Sequence, residues 1–167
     1  NFRLSNIDQK IKLLSNLKVD FVITKKFDKK FSKTKALNFI SQILNKKLSS
    51  RFIFVSNNFR FGNKREGNVN LLKKHEKSFN YKVIKPEPLI KNKKIVSSSL
   101  IRNLLEKGFL AKANNFLNRN WTIEGIVKKG RQVGKKIGFP TCNIDIKDYV
   151  LAKPGVYAVK VLRKNSN

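Results

Sequence analysis

Apolar positions along the chain follow a helical period in some stretches and form short runs in others. From Ser5 to Leu17, the residues Ile7, Ile11, Leu14 and Leu17 recur on one helical face, with Ser5 placed to cap the helix and Asp8 three residues on. Phe21-Val-Ile-Thr24 is almost wholly apolar, which predicts a strand buried on both faces. Phe27 to Phe31 reads as a loop, after which Leu37, Ile40, Ile43 and Leu44 give a second amphipathic helix from about Thr34 to Asn45. Arg51-Phe-Ile-Phe-Val55 predicts the next buried strand, followed by a loop holding Asn57, Asn58, Phe59, Arg60, Phe61 and Gly62. A weaker helix from about Val69 to Lys77 leads to a third strand, Tyr81-Lys-Val-Ile84, and Pro86 and Pro88 then interrupt the pattern. Val96-Ser-Ser-Ser-Leu-Ile-Arg102 opens another helix, with Ser97 as N-cap and an end near Gly108; a short helix covers Ala111 to Leu117.

Helix–strand alternation of this kind predicts an α/β fold built on a parallel sheet with helices on its faces. In such folds ligands sit beyond the C-terminal ends of the strands. The loop after Val55 lies at one such end, and the Ser97 helix start is a candidate for another. After Asn120 the pattern changes. Trp121, Ile123, Gly125 and Val127 alternate with Thr122, Glu124 and Ile126, a loop rich in glycine and lysine covers Lys128–Gly138, and a last strand is expected from Val156 to Leu162. Short strands separated by glycine turns predict the start of an antiparallel β-barrel. The division is therefore expected near Arg119, with residues 1–118 in the first domain and 119–167 in the second.

Composition changes this picture little. The 167 residues carry 38 basic and 10 acidic side chains, a net charge of +28, and 40% hydrophobic residues with 13 Phe, enough for a core. Such an excess of charge points to polyanionic partners: nucleic acid, an anionic membrane surface or phosphorylated small molecules. The lysines are scattered, however, and Asn and Ile are abundant too, so the charge fits compositional drift as well as a nucleic-acid footprint. The one cysteine, Cys142, permits no internal disulfide and favours a reducing, cytoplasmic setting. The one histidine, His75, leaves no histidine pair for metal or acid–base work, and no apolar run approaches the roughly 20 residues that cross a bilayer.

Three stretches carry candidate chemistry. At Val96–Arg102 the first-turn N–H groups, the hydroxyls of Ser98 and Ser99 and the Arg102 guanidinium can converge on one anion at a helix N-terminus; the plainer alternative is a serine-capped surface helix. Between Gly130 and Asn143, the glycines Gly130, Gly134 and Gly138 let the backbone approach a ligand, and Arg131, Lys135 and Lys136 add positive charge. Thr141 and Asn143 there offer hard oxygen donors suited to Mg²⁺, so the segment reads either as a nucleotide–metal site or as a basic hairpin loop. Cys142, between those two on an extended segment, is expected to point the other way into the core. In the Asn57–Gly62 loop, Phe59 and Phe61 either stack on a planar ring beside Asn58 or anchor the loop in the core, the second being favoured.

These stretches resemble one family, the bifunctional bacterial riboflavin kinase/FMN adenylyltransferase (FAD synthetase). Val55-Ser-Asn-Asn-Phe-Arg-Phe-Gly62 is similar to its V-G-x-[ND]-F-R-F-G loop, Val96-Ser-Ser-Ser-Leu-Ile-Arg102 to its V-S-S-T-x-I-R motif, and Gly138-Phe-Pro-Thr-Cys-Asn143 to its G-F-P-T-A-N motif. Ala113–Gly125 also resembles the junction between the family's domains. The resemblance implies a nucleotidyltransferase-type, Rossmann-like domain over residues 1–118 and the N-terminal part of a riboflavin kinase barrel over 119–167. It implies ATP-dependent phosphorylation of riboflavin to FMN and adenylylation of FMN to FAD, with Mg²⁺. Ser98, Ser99 and Arg102 would then hold ATP phosphates, with Asn58 near the flavin or nucleotide. Thr141 and Asn143 would hold Mg²⁺ and ATP in the kinase, under a loop containing Gly130 and Gly134.

The departures are Ser56 for a glycine, Ser99 for a threonine and Cys142 for an alanine. The family's H-x-G-H motif and the kinase's general-base glutamate are not found in the chain, so it is expected to be a fragment lacking both ends and incomplete for both activities. Riboflavin, FMN and ATP are the expected partners; no membrane is expected, and nucleic acid is not expected despite the charge. The alternatives are a basic nucleic-acid-binding module or another small-molecule nucleotidyltransferase, and the Gly138–Asn143 segment argues against the latter.

Overall fold

The computed structural model describes residues 2–131 and 133–162, so residue 132 of the expected glycine- and lysine-rich loop lies outside the described residues. The chain divides into two compact units, one made of the residues up to Val22 together with those from Ile90 onward, the other of Ile23–Leu89. The first helix, α1 (Ile7–Asn16), is capped by Asn6 rather than by the expected Ser5. Asn6 Oδ1 accepts the Gln9 N–H at 2.8 Å and Gln9 Oε1 accepts the Asn6 N–H at 2.9 Å, a reciprocal capping box. Ser5 is unavailable because it is buried and its Oγ receives Arg119 Nη2 at 3.2 Å. The expected apolar face is also not the covered one: Ile7, Ile11, Leu14 and Leu17 stay exposed, and the buried residue of α1 is Gln9. The reason is a polar one, since Gln9 has specific partners in Thr122 and Tyr149. Phe21–Thr24 does not form the expected strand, and Phe21 is 87% exposed. A strand needs a neighbour for its N–H and C=O groups, and among the described residues none pairs with it.

In the Ile23–Leu89 unit, Asp28 caps the single turn α2 (Lys29–Ser32). The next helix starts as α3 (Ala36–Asn38) and continues as a wider π-helical stretch, Phe39–Lys47. Strand β1 (Phe52–Phe54) is followed by the antiparallel pair β2 (Arg60–Phe61) and β3 (Gly67–Asn68), then α4 (Val69–Lys74) and α5 (Glu76–Phe79), where one helix was expected. β4 (Lys82–Ile84) then pairs with β1 in parallel, Ile53 opposite Val83. Ile53 and Val83 join Ile40, Leu72, Ala36, Val69, Phe61 and Tyr81 in the core. Phe52 and Phe54, expected to be buried, are 62% and 66% exposed, because only one face of this strand pair is covered among the described residues.

The other unit continues with a hairpin absent from the sequence reading, β5 (Ile90–Lys91) with β6 (Lys94–Ile95), whose turn residues Asn92 and Lys93 both take positive φ. Helix α6 (Ser98–Glu106) follows, placing Ile101, Leu104 and Leu105 inward at the i, i+3, i+4 spacing. Gly108, at φ +79, ends it in a Schellman motif: its N–H reaches Leu105 C=O at 2.9 Å and the Phe109 N–H reaches Leu104 C=O at 2.8 Å. α7 (Leu110–Leu117) packs on α6, and Ala113 and Val150 complete this core. Of the expected antiparallel region, β7 (Val127–Lys128) and β8 (Asn143–Ile144) form one pair, with the short helix α8 (Val133–Lys136) between them. Trp121–Ile126 and Val156–Leu162, expected as strands, lie in no ladder.

Candidate functional site

The start of α6 is built as its sequence indicates. Ser97, in extended conformation, accepts the Leu100 N–H on its Oγ at 3.2 Å, a cap of the kind that stabilises a helix by about 1 kcal/mol. Ser98 and Ser99 are exposed in the first turn, and Arg102 follows one turn later. The Arg102 Nε donates to the Phe2 carbonyl at 2.6 Å. Among the described residues its Nη groups carry no hydrogen bond, which leaves that edge of the guanidinium available to a ligand one turn into α6. That combination of oriented donors and positive charge suits a phosphate group.

Gly130, Gly134, Thr141 and Asn143 come together, lining one open concavity of about 440 Å³ with Arg131 and Val133. The packing demands glycine at Gly134, where a Cβ would run into the Phe139 carbonyl oxygen; a Cβ on Gly130 would meet the Asn143 side-chain amide, which can swing aside. Phe139 N–H closes this turn on Gly134 C=O at 2.7 Å. At the hairpin below, Lys128 Nζ bonds Asp145 Oδ2 at 2.6 Å and the Lys147 N–H bonds its other oxygen at 3.1 Å, which together hold the Asp145 carboxyl below its usual range. Cys142, expected in the core, is exposed, because the Thr141–Asn143 segment has no layer against its other side among the described residues. Thr141 and Asn143 supply two neutral oxygens, and the described residues hold no group of three His, Cys, Asp or Glu around a common point. Such a donor set suits Mg²⁺ held mainly through substrate phosphates and water, not an all-protein cage.

Asn58 lies in the other unit, on the loop beyond the C-terminal end of β1. Its Oδ1 accepts the Ser56 hydroxyl at 3.0 Å, so the serine standing where the related loops carry glycine engages the amide directly. Phe61 is core, and the half-buried Phe59 stacks on it with centroids 5.5 Å apart and planes 20° apart. The loop is seated on the start of α3. Glu66 Oε1 accepts the Ala36 N–H at 2.7 Å, and both Gly62 and Gly67 press against Ala36. Glu66 and Phe2 were not readable from sequence as site residues, because each acts on a partner at least thirty positions away. A second concavity, lined by Arg51, Phe52, Asn80, Tyr81 and Lys82, opens at the N-terminal ends of β1 and β4, the end at which parallel sheets seldom bind ligands.

The fold is thus a mixed α/β one with a small parallel strand pair and helices, carrying phosphate-suited groups at a helix start and in a glycine loop. The chain belongs to the FAD synthetase family, whose model matches residues 1–100; a riboflavin kinase family model matches residues 117–167. Relatives named bifunctional riboflavin kinase/FMN adenylyltransferase include those of Buchnera aphidicola subsp. Schizaphis graminum, 41% identical over 160 residues, and Escherichia coli K12, 36% identical over 160 residues. The matches cover 95% and 96% of this chain and 51% of each relative, so the chain spans about half their length. A crystal structure described as a macrolide-efflux protein from Streptococcus pneumoniae shares the fold, with TM-score 0.75 at 24% identity over 92% of this chain and 49% of that one.

Proposed function

We propose that this chain is part of a bifunctional enzyme of flavin cofactor synthesis. One site phosphorylates riboflavin to FMN with ATP; the other transfers an adenylyl group from ATP to FMN, giving FAD and releasing pyrophosphate. Residues 1–118 contribute to a nucleotidyltransferase-type, Rossmann-like FMN adenylyltransferase domain, and 119–167 open the antiparallel barrel of a riboflavin kinase. In the adenylyltransferase, Ser98, Ser99 and Arg102 bind ATP phosphates and Asn58 contacts flavin or nucleotide. In the kinase, Gly130 and Gly134 let the backbone approach ATP, while Thr141 and Asn143 offer oxygens to Mg²⁺, which when bound neutralises phosphate charge. These residues position reactants and offset charge at phosphorus, which is most of what phosphoryl and adenylyl transfer ask of a protein. The setting is the cytoplasm; among the described residues no helix is long and apolar enough to cross a membrane.

The observation that carries this proposal is the gathering of Gly130, Gly134, Thr141 and Asn143 around one concavity inside the segment matched by the riboflavin kinase model. The test is product separation after the intact protein is incubated with riboflavin, ATP and Mg²⁺. Asn143→Ala is expected to lower FMN formation by about tenfold or more while FAD formation from supplied FMN persists, and Arg102→Ala to do the reverse. If neither substitution alters either product, the residue assignments are wrong; if no flavin product forms at all, the activity itself is wrong.

A further inference from the structure

Arg102 does not hold itself in place. Its Nε is fixed at 2.6 Å by the carbonyl of Phe2, and Phe2–Arg3 is in turn gripped by a segment from the far end of the chain. The Arg3 N–H donates to the Asp148 carbonyl at 3.2 Å and the Val150 N–H donates to the Arg3 carbonyl at 2.9 Å, a parallel bridge astride Tyr149. The same segment is anchored on both sides. Val150 is 1% exposed in the core beneath α6, and the Lys153 N–H reaches the Leu105 carbonyl at 3.0 Å. Tyr149, 3% exposed, donates its hydroxyl to Gln9 Oε1 at 2.8 Å and receives the Glu124 N–H at 3.2 Å. Gln9 is tied onward to Thr122 by its amide nitrogen. All of these residues belong to one compact unit, yet Phe2, Arg3, Gln9 and Arg102 lie in or beside the FAD synthetase match while Thr122, Glu124 and residues 148–153 lie in the riboflavin kinase match.

We infer that Tyr149 is a positioning residue for the adenylyltransferase: the 148–150 strap from the kinase segment holds Phe2–Arg3, and the Phe2 carbonyl aims the Arg102 guanidinium at the ATP phosphates. This inference rests on the proposal that Arg102 binds ATP. The strap reaches Phe2–Arg3 through two main-chain hydrogen bonds and an exposed Arg3–Asp148 ion pair at 3.7 Å, so the kinase segment sets the geometry of the other site without touching its substrate. Small misplacements of a charged donor at phosphorus are expensive, and residues coupled through one hydrogen-bond chain respond non-additively.

The test is a double-mutant comparison in the intact protein, reading KM for ATP and for FMN in FAD formation and, separately, the rate of riboflavin phosphorylation. Tyr149→Phe removes the hydroxyl anchor and keeps the ring; Arg3→Pro removes the N–H donated to Asp148 and reaches the same contact by another route. Each is expected to raise the KM for ATP about three- to tenfold, with the KM for FMN and riboflavin phosphorylation within twofold. In an Arg102→Ala background the same substitutions are expected to change the KM for ATP by less than twofold. An effect of Tyr149→Phe that persists undiminished in that background, or that falls equally on riboflavin phosphorylation, overturns the inference and leaves a merely structural Tyr149. If Arg102→Ala alone leaves the KM for ATP unchanged, the underlying assignment of Arg102 fails. If Arg102→Ala raises it and neither strap variant does, the positioning inference fails by itself.

Discussion

Gly62 is a position where one added methyl group should do much damage for its size. Its backbone sits at φ +76 and ψ 177, a region that essentially only glycine occupies, and forcing a side chain there costs about 1–3 kcal/mol. An added Cβ would also stand 2.7 Å from Ala36 Cα and 2.8 Å from both Ala36 N and Ala36 Cβ. Two of those atoms are backbone at the start of α3, so no side chain can rotate away, and such overpacking costs about 1–3 kcal/mol more. Gly62→Ala should therefore destabilise the Ile23–Leu89 unit by about 2–6 kcal/mol. Gly138 serves as the comparison: it too has positive φ, +83, but a Cβ there meets nothing within 4 Å. Gly138→Ala is expected to cost only about 1–2 kcal/mol of local stability. Native-state hydrogen exchange read by mass spectrometry, over peptides spanning residues 34–68 and 133–144, gives each local opening free energy. A Gly62→Ala cost within about 0.5 kcal/mol of the Gly138→Ala cost would refute the contact with Ala36 as the reason for glycine.

Three further outcomes are expected. Burial, with the Glu76 carboxylate adding to it, pushes the Tyr81 hydroxyl up to about 12; the folded state therefore resists its ionisation, and the stability it contributes is complete below about pH 10 and is lost as pH rises toward 12. Absorbance titration should show a tyrosinate phase near 12 that disappears in Tyr81→Phe. Asp145 has its carboxyl held low by Lys128, so its contribution to the β7–β8 pair is present above the usual carboxylate range and is lost as pH falls through the lowered value; in Asp145→Asn, the protection of Val127 and Ile144, taken relative to the intrinsic exchange rate at each pH, should lose that acid dependence. Leu105 is fully buried on the inner face of α6, and Leu105→Ala should lower stability by about 2–5 kcal/mol in urea unfolding followed by Trp121 fluorescence.

What the sequence made legible was local. The extent of α6 was readable because its signals lie within a few residues of its ends: Ser97 before the first turn, apolar residues at the right period, and Gly108 where the chain must turn left-handed. The gathering of Gly130, Gly134, Thr141 and Asn143 was readable for the same reason, since fourteen residues with three glycines must fold back on themselves. The failures share the opposite property. Asn6 displaces Ser5 as a cap because Arg119, more than a hundred residues away, takes the Ser5 hydroxyl. Gln9 is buried in place of Ile7 and Leu14 because Thr122 and Tyr149 arrive to satisfy its amide. Phe21–Thr24 and Val156–Leu162 have the composition of strands and no partner among the described residues, and strand propensity is realised only when a neighbour supplies the ladder.

The Arg102 chain of contacts marks a further limit on what side-chain patterns can reveal. Three of its links, Phe2 carbonyl to Arg102, Arg3 N–H to Asp148 carbonyl and Val150 N–H to Arg3 carbonyl, use main-chain groups. Any residue but proline supplies the donors and every residue supplies the acceptors, so these bonds by themselves require no particular residue type at positions 2, 3 or 148, while position 150 is constrained by its place in the core. A motif search finds Ser98, Ser99 and Arg102 and misses what aims the arginine. Alanine substitution at Phe2 or Arg3 would miss much of it too, since alanine keeps its N–H and C=O. Proline substitution at the donor positions removes the bond itself, and it is the perturbation that separates an arginine merely present at the helix start from one held in place by the opposite end of the chain.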